Sequence, residues 1–549
     1  MPYSVRETML MSSESFSAPA PRNQTDVFAV HGADPEILAF AMAKYSRSAL
    51  SMRDSLTEIS SQRASQFLST FYFQYGHRSI ADLAHIAFAV ERLSLLAAIV
   101  LVDETRWDGQ ERSTRYQNFL QSGWFFPEFG QDAEPARLYS ATIENLFATY
   151  QCVSAAVFDL LRTRVTRPET LNPEAYERTL KARAFDVARY LLPLATNTSL
   201  GQIVSARTLE TQVSRLLSHP AAEVRLLGQK LREAATGPAW NLNAQAAQAF
   251  VEKLKALKDD PAPSLAAEAA QLFTREVNTA PTLVKYAQPN DYLIQTQAEL
   301  AQAASDLLGD IPIADAPLVD LVERTESLEV ELAATLLYSA SHHSYRQIRD
   351  LLSGFPATRV SEIVSLGLRH RGKHDEALRV FHAGAALRFD ILMDIGGFRD
   401  MHRHRRCTQI IQGFTTLHGY ESPGAADLPA KPQNDFDILA EAGVLADYRS
   451  AIESAHQASV QIDASAGEGK HEPHSAFYLL PLATRVRSLF KMDFAEAQYI
   501  SELRSAPAGH FSYRRVAWEM YRALERQHPT LARHIRVTDF TQPIDLFQR

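Results

Sequence analysis

Apolar residues recur at three- and four-residue spacing along most of the chain, and this spacing is typical of amphipathic helices. The clearest stretches are residues 141–161, 439–462 and 511–525. Residues 85–91 and 387–393 differ, because they are short, partly alternate between polar and apolar positions, and carry β-branched or aromatic side chains. We predict that these two segments are strands. The pattern therefore predicts many helices around a small amount of sheet.

One heptapeptide, Tyr-Leu-Leu-Pro-Leu-Ala-Thr, occurs twice without change, at residues 190–196 and 478–484. The offset is 288 residues (484 minus 196), in a chain of 549 residues. A second pair, Tyr-Ser-Arg-Ser at residues 45–48 and Tyr-Ser-Ala-Ser at residues 338–341, stands in the same order. Repetition of this kind indicates two diverged copies of one domain.

The repeat divides the chain into four parts. We predict copy one at residues 27–235 and copy two at residues 321–549. Residues 236–320 contain helical patterns interrupted by proline and glycine, so we predict an ordered helical connector there. Residues 1–26 lack a basic start followed by an apolar core, so they predict a disordered tail rather than a secretory signal.

Composition limits the function classes. Hydrophobic residues make up 46% and charged residues 22%, which is ordinary for a soluble globular protein, and no apolar run reaches the ~20 residues of a membrane span. Only Cys152 and Cys407 occur, so no disulfide framework is expected and a reducing cytoplasm fits. A net charge of −8 argues against a nucleic-acid binder but leaves room for small phosphorylated ligands held by clustered arginines.

Two polar segments follow the predicted strands. In copy one the segment is Glu-Arg-Ser-Thr-Arg-Tyr at residues 111–116, and in copy two it is Arg-His-Arg at residues 403–405. Arginine offers five N–H donors in a fixed fork and binds phosphate through two of them at once. These segments therefore indicate binding of a phosphate or an electron-rich ring. His471, Glu472 and His474 are close in sequence, but the intervening Pro473 and the loop context predict no metal site.

The two segments resemble the two ends of the signature of flavin-dependent thymidylate synthases, Arg-His-Arg followed closely by Ser-x-Arg-Tyr. Here the signature is divided between the copies. Copy one has Asp-Glu-Thr at residues 103–105 where Arg-His-Arg would fall, and copy two has Gly-Phe-Thr-Thr at residues 413–416 where Ser-x-Arg-Tyr would fall. The chain resembles the long, tandem form of this family. The resemblance implies an α+β fold in each copy, helix-rich with a mixed β-sheet core.

The resemblance also implies roles for particular residues. Ser79 lies in a segment similar to one near the flavin, and Arg207 lies in a flavin-contacting segment in which Ser205 replaces the usual Asn. The expected cofactor-binding residues are Ser79, Arg207, Arg403, His404 and Arg405. The expected substrate-binding residues are Glu111, Ser113, Arg115, Arg189 and Arg504. Arg504 is also expected to be catalytic, by polarising the pyrimidine ring; the equivalent position in copy one is Leu216, unless Arg215 substitutes.

The implied activity is reductive methylation of dUMP to dTMP, with FAD as cofactor and methylenetetrahydrofolate and NADPH as co-substrates. No cysteine nucleophile is needed. A homodimer would imitate the family's tetramer, with each site built from both copies. Two alternatives remain: a catalytically inactive relative that binds nucleotide or flavin, and an enzyme that modifies another pyrimidine nucleotide.

Overall fold

The computed structural model describes residues 34–44, 78–130, 133–241, 244–256, 262–274, 276–284, 287–372, 375–422, 435–466 and 474–542. Four sequence-based predictions fall outside these ranges in whole or in part: the tail at 1–26, the Tyr-Ser-Arg-Ser segment at 45–48, His77 beside Ser79, and the group at 471–473.

Copy one contains six helices and three strands among its described residues. In chain order these are α1 (Pro35–Lys44), β1 (His85–Ser94), α2 (Leu95–Leu101), β2 (Asp108–Glu111), α3 (Ala133–Arg164), α4 (Pro173–Ala188), β3 (Asn197–Ser205), α5 (Ala206–Leu217) and α6 (Ala222–Thr236). Short 3-10 turns cover Arg78–Leu83 and Arg189–Leu191. The connector holds α7 (Ala244–Ala256), α8 (Ala262–Phe273) and α9 (Asp291–Leu308).

Copy two repeats this order with additions at both ends. Its elements are β4 (Val319–Leu321), α10 (Leu328–Tyr338), α11 (Tyr345–Ser353), α12 (Ala357–Leu366), β5 (Leu387–Asp394), α13 (Ile395–Met401), β6 (Thr408–Ile411), α14 (Asp435–Glu441), α15 (Leu445–Ala466), β7 (Arg485–Met492), α16 (Phe494–Ser505), α17 (Phe511–Gln527) and α18 (Pro529–Ala532). Its 3-10 turns are Arg379–Phe381 and Ser475–Leu479. No helix in the described part of the chain is long and apolar enough to cross a membrane.

The α+β class and the two predicted strands are confirmed, since residues 85–91 lie in β1 and residues 387–393 in β5. The helix predicted at 439–462 is interrupted, because Gly443 has a φ of 73° between α14 and α15. Left-handed backbone of this kind ends a helix and suits glycine. The expectation of mixed sheets is wrong for the described strands, which pair antiparallel in the orders β1-β3-β2 and β4-β5-β7-β6. The equivalent strands β3 and β7 are internal in their sheets, follow two helices in the chain, and run antiparallel to both neighbours.

Strand register fixes which residues are equivalent in the two copies. Asp108 in β2 pairs with Ile203 in β3, and Thr408 in β6 pairs with Lys491 in β7. Ile203 and Lys491 are separated by the repeat offset of 288 (491 minus 203), so Asp108 and Thr408 are equivalent positions. It follows that residues 103–105 correspond to residues 403–405, the correspondence expected from the sequence.

The two identical heptapeptides face each other across a local pseudo-twofold axis. Leu194 N donates to Leu480 O at 2.9 Å, and the symmetric bond from Leu482 N to Leu192 O is also 2.9 Å. A second symmetric pair joins Ala195 N to Tyr478 O at 2.8 Å and Ala483 N to Tyr190 O at 3.0 Å. The two prolines, Pro193 and Pro481, lie opposite each other in this bridge, where no N–H is needed. Each segment is the binding partner of the other, and this accounts for their identity.

The two copies share one hydrophobic core, which extends through both sheets and the helices between them. A smaller cluster covers the other face of the copy-two sheet, beneath α10, α11 and α12. The copies are therefore packed into one body, and polar residues of either copy can meet at the seam.

Candidate active site

A cleft of about 510 Å³ lies at the seam between the copies. Its walls combine a strand end, a 3-10 turn and a loop of copy one with the Arg-His-Arg loop of copy two. The lining residues are Asp82, His85, Thr105, Arg106, Trp107, Asp108, Ile203, Val204, Ser205, Thr208, Arg403 and Arg405. This volume lies within the ~300–1,000 Å³ range of small-molecule sites.

The copy-two wall is cationic and lies beside an aromatic ring of copy one. Arg403 and Arg405 stand in the loop between α13 and β6, and the Arg405 guanidinium carbon lies 4.5 Å from the centre of the Trp107 ring. Burial, followed by the charge of Arg403, lowers the pKa of Arg405. Arg405 Nε is buried without a hydrogen-bond partner among the described residues. The wall therefore presents positive charge to the cleft, with one unsatisfied donor beneath its surface.

The opposite wall comes from copy one. Ser205 caps the N-terminus of α5, and Arg207 in the first turn pairs with Asp82 at 3.1 Å and with Glu376 of copy two at 3.3 Å. Ser79 lies in the 3-10 turn Arg78–Leu83, the same turn that brings Asp82 to the cleft. Of the predicted cofactor-binding residues, Arg403 and Arg405 of copy two line the cleft, and Ser79 and Arg207 lie in copy-one elements beside it.

Arg115 makes a dense set of contacts beyond the end of β2. Its Nε lies 2.8 Å from Asp186 Oδ1, its Nη1 donates to the Tyr513 hydroxyl at 2.9 Å, and its Nη2 donates to Ala508 O at 2.7 Å. Asp186 belongs to copy one, whereas the other two partners belong to copy two. The Arg115 side chain is therefore held between the copies, with most of its donors engaged by the protein.

The other two residues of the copy-one segment lie beside Arg115. Ser113 Oγ accepts from Arg115 N at 3.3 Å and stabilises the turn after the strand. Glu111, at the end of β2, accepts a hydrogen bond from Arg399 in α13 of copy two. The copy-one half of the signature is thus joined to copy two at both of its ends.

Arg504 approaches the same region from α16. Its guanidinium carbon lies 5.6 Å from the centre of the Tyr513 ring, and that of Arg115 lies at the same distance. Arg504 Nε donates to His404 Nε2 at 2.7 Å. The structure therefore brings together Arg115 of copy one with His404 and Arg504 of copy two around Tyr513.

Arg189 lies deeper than the other arginines. Its side chain is 2% exposed and its Nη1 lies 2.9 Å from Asp400 Oδ2 in copy two. Its Nε and Nη2 are buried with no hydrogen-bond partner among the described residues. Burial would raise the pKa of Asp400, but Arg189 and then Arg115 lower it to about 2. Arg189 and Asp400 therefore form a buried ion pair beneath the site.

The equivalent positions on the other side of the pseudo-twofold axis are filled by ion pairs. Arg379 of copy two contacts Asp103, which stands where copy two has Arg403. Lys491, the equivalent of Ile203, lies 3.1 Å from Glu331. Asp493, the equivalent of Ser205, pairs with Arg406 at 3.0 Å. These pairs engage the charged side chains at the positions equivalent to the cleft.

Sequence reasoning missed Trp107, Asp186, Asp400 and Tyr513. A buried aspartate three residues before Arg189 on the same helical turn was a weak signal for Asp186, because such a charge requires a partner. Nothing in the sequence indicated Tyr513, which meets Arg115 across 398 positions. Within the described residues no cluster of three or more His, Cys, Asp or Glu side chains is arranged to hold a metal ion.

Comparison with known proteins gives the family. The profile of the family described as "Thymidylate synthase complementing protein" matches residues 28–237 and again residues 320–530. A UPF0159 protein of Chlamydia pneumoniae is 28% identical over 564 residues, covering 95% of this chain and 93% of that protein. A UPF0159 protein of Thermoplasma acidophilum is 23% identical over 508 residues, covering 87% of this chain and 89% of that protein.

A solved structure is also similar. The flavin-dependent thymidylate synthase of Helicobacter pylori, complexed with FAD and dUMP, is 18% identical with a TM-score of 0.25, over 37% of this chain and 89% of that chain. The two profile matches together span most of the chain and fall on the two sequence copies. The chain belongs to the thymidylate synthase complementing family, as a tandem duplication of the family's domain.

Proposed function

We propose that this protein is an FAD-dependent thymidylate synthase that converts dUMP to dTMP with methylenetetrahydrofolate as carbon donor and NADPH as reductant. The observation that supports this most strongly is the meeting of Arg115 and Arg504 at one tyrosine, each 5.6 Å from the centre of the Tyr513 ring. Each copy lacks the signature residue that the other supplies at this point.

The residues around the cleft suit a flavin. Arg403 and Arg405 would bind its phosphates or the electron-rich carbonyl edge of its ring. Ser79 and Arg207 would complete the binding set, whereas His404 contacts Arg504. FAD, when bound, would supply the hydride chemistry, and the protein would contribute binding, orientation and electrostatics. The equivalent positions across the pseudo-twofold axis lack these arginines, so we propose one flavin per chain.

Arg504 is the best placed residue to act on the pyrimidine. Among the described residues its side chain makes one hydrogen bond, from Nε to His404, which leaves both terminal nitrogens available to a substrate. A guanidinium beside the uracil edge would stabilise negative charge that develops on the ring. Glu111, Ser113, Arg115 and Arg189 would shape the rest of the nucleotide site.

One observation favours a second candidate. Arg115 Nε, Nη1 and Nη2 already contact Asp186, Tyr513 and Ala508, so a 5′-phosphate would have to displace Asp186 to be bound in the expected way. This arrangement also fits a relative that binds nucleotide or flavin without turnover.

The direct experiment follows the bound flavin in the full chain. Protein reduced under anaerobic conditions is mixed with methylenetetrahydrofolate and dUMP, and flavin absorbance and dTMP are measured together. The proposal expects oxidation of the flavin that requires dUMP and matches dTMP formed. Parallel reactions with dCMP or UMP test whether another pyrimidine nucleotide is the substrate. Bound flavin that stays reduced with every nucleotide would contradict the proposed synthase.

We also propose that two chains associate, so that four domain copies come together as in a tetramer of single-domain subunits. Light scattering during size-exclusion chromatography would give the mass directly. A mass of about twice the 61.3 kDa chain is expected, and a monomer that retains full activity would contradict this arrangement.

A further inference from the structure

We propose that His404 is a positioning residue for Arg504: it orients the guanidinium through a neutral nitrogen, so that the positive charge of Arg504 is not cancelled before substrate binds. Glu496 holds the imidazole in place from the other side. This inference rests on the function proposed above, because it assigns Arg504 to the pyrimidine.

The geometry fixes which nitrogen of His404 is the acceptor. Arg504 Nε carries a proton and lies 2.7 Å from His404 Nε2, so Nε2 must offer its lone pair. The proton of the neutral ring is then on Nδ1, which lies 3.5 Å from Glu496 Oε1. His404 and Glu496 are 5% and 4% exposed, so water competes little for either nitrogen.

The surroundings keep His404 neutral. Burial is the largest cause, followed by the charges of Arg504 and Arg405, and together they lower the pKa of His404 to about 3. The backbone of the loop is fixed at this residue, because two side chains donate to the His404 carbonyl oxygen: Gln409 Nε2 at 2.7 Å and Cys407 Sγ at 3.1 Å. A neutral acceptor in a fixed position can therefore direct Arg504.

Copy one contains a similar pair with the opposite electrostatic outcome, although its arginine, Arg215, lies one position before Leu216, the equivalent of Arg504. The equivalent of His404 is Glu104, and Arg215 contacts it through Nε at 3.0 Å and Nη2 at 2.7 Å. The remaining Arg215 nitrogen, Nη1, donates to Val100 O at 2.9 Å. Glu104 therefore neutralises Arg215 and uses its donors, whereas His404 leaves the charge and the terminal nitrogens of Arg504 available.

This contrast explains why position 404 is a histidine and not a carboxylate. A carboxylate at position 404 would orient Arg504 as well or better, but it would pair with the charge that must stabilise the reacting ring. Electrostatic stabilisation acts only when charge is aimed at the transition state and is not already satisfied. The difference between His404 and Glu104 therefore separates a working arginine from a structural one.

The test compares two substitutions of one residue. His404→Gln keeps a neutral acceptor, and His404→Glu reproduces the pair of copy one. We expect His404→Glu to lower kcat by at least about 100-fold while KM for dUMP and flavin content change by less than about 3-fold, and His404→Gln to retain kcat within about 10-fold. Glu104→Gln, in the copy-one pair, is the matched control and should leave kcat unchanged. Equal loss of kcat in both His404 variants would overturn the proposal.

A second measurement does not depend on turnover. Nitrogen NMR of the protein labelled at its histidine rings, with the His404 signal assigned by its loss in His404→Gln, reports the protonation of each ring nitrogen. We expect a neutral ring with its proton on Nδ1 from about pH 5 to about pH 9. A charged ring, or a neutral ring with its proton on Nε2, would overturn the inference even in an active enzyme. If the NMR result holds but no nucleotide is turned over, the proposed function fails and the orienting contact stands.

Discussion

Arg115 of copy one and Arg504 of copy two place their guanidinium carbons at the same distance, 5.6 Å, from the centre of one ring, that of Tyr513. The two arginines stand 389 positions apart in the chain (504 minus 115). We propose that duplication allowed each copy to lose a part of the signature, because the other copy supplies it across the seam.

The arginines of the copy-two loop should hold the flavin. Arg403→Ala combined with Arg405→Ala is expected to release FAD without unfolding the protein, since Arg403 is exposed and Arg405 has an unpartnered Nε. Flavin content after gel filtration and the thermal midpoint measure the two effects. Arg406→Ala is the matched control, because Arg406 pairs with Asp493 outside the cleft. A folded double variant with unchanged flavin would refute this assignment.

Flavin titration should saturate at no more than one FAD per chain. The second set of positions is filled by the contacts of Arg379 with Asp103 and of Lys491 with Glu331. Calorimetric titration of flavin-free protein gives the stoichiometry, and Asp103→Ala should not create a second site because Lys491 remains. Two equivalents per chain in the wild type would contradict the proposal of one flavin per chain.

Catalysis should not require a thiol. Burial raises the pKa of Cys407 to about 12, so its thiol is not ionised near neutrality, and Cys152 lies on the exposed side of α3. Cys152→Ala combined with Cys407→Ala is expected to retain turnover within about 3-fold. Loss of activity in a folded variant that still binds flavin would point to a cysteine nucleophile.

Asp394 should make stability depend on pH. It is fully buried and accepts a hydrogen bond from Gly397 N at 2.7 Å. Burial, followed by the charge of Glu421, raises its pKa from 3.8 to about 7. A raised carboxyl pKa contributes stability that is complete below the unfolded pKa and is lost as pH rises through about 7.

Asp394→Asn keeps the side-chain oxygen that caps the N-terminus of α13 but removes the charge. Relative to wild type, the free energy of unfolding of the variant should therefore rise by about 1–3 kcal/mol between about pH 4 and about pH 8, as measured by denaturant unfolding. Asp493→Asn is the control of opposite sign, since the pKa of the exposed Asp493 is lowered, first by its hydrogen bond from Glu496 N. If the free energies of unfolding of wild type and Asp394→Asn changed with pH in the same way, the role assigned to Asp394 would be contradicted.

The sequence was sufficient for the class of fold and for the idea of a shared site. β1 and β5 were predictable because apolar and polar residues partly alternate in them, whereas β3 carries Asn197, Thr198, Ser199 and Gly201 and becomes a strand only through its two partners. The repeated heptapeptide was visible in the sequence, but its pairing with its own copy was not. Tyr513 and Asp186 could not be predicted, because their roles arise from contacts between distant segments.

The central claim is that one active site uses residues of both copies. The most direct measurement is the rate of dTMP formation by three full-length proteins: wild type, Arg115→Ala and Arg504→Ala. Arg115→Ala should weaken dUMP binding by about 1.5–3 kcal/mol, the scale of a charge-assisted hydrogen bond, and Arg504→Ala should mainly lower kcat. A loss in both variants, one from each copy, is the predicted result. Full activity in either variant would contradict the composite site.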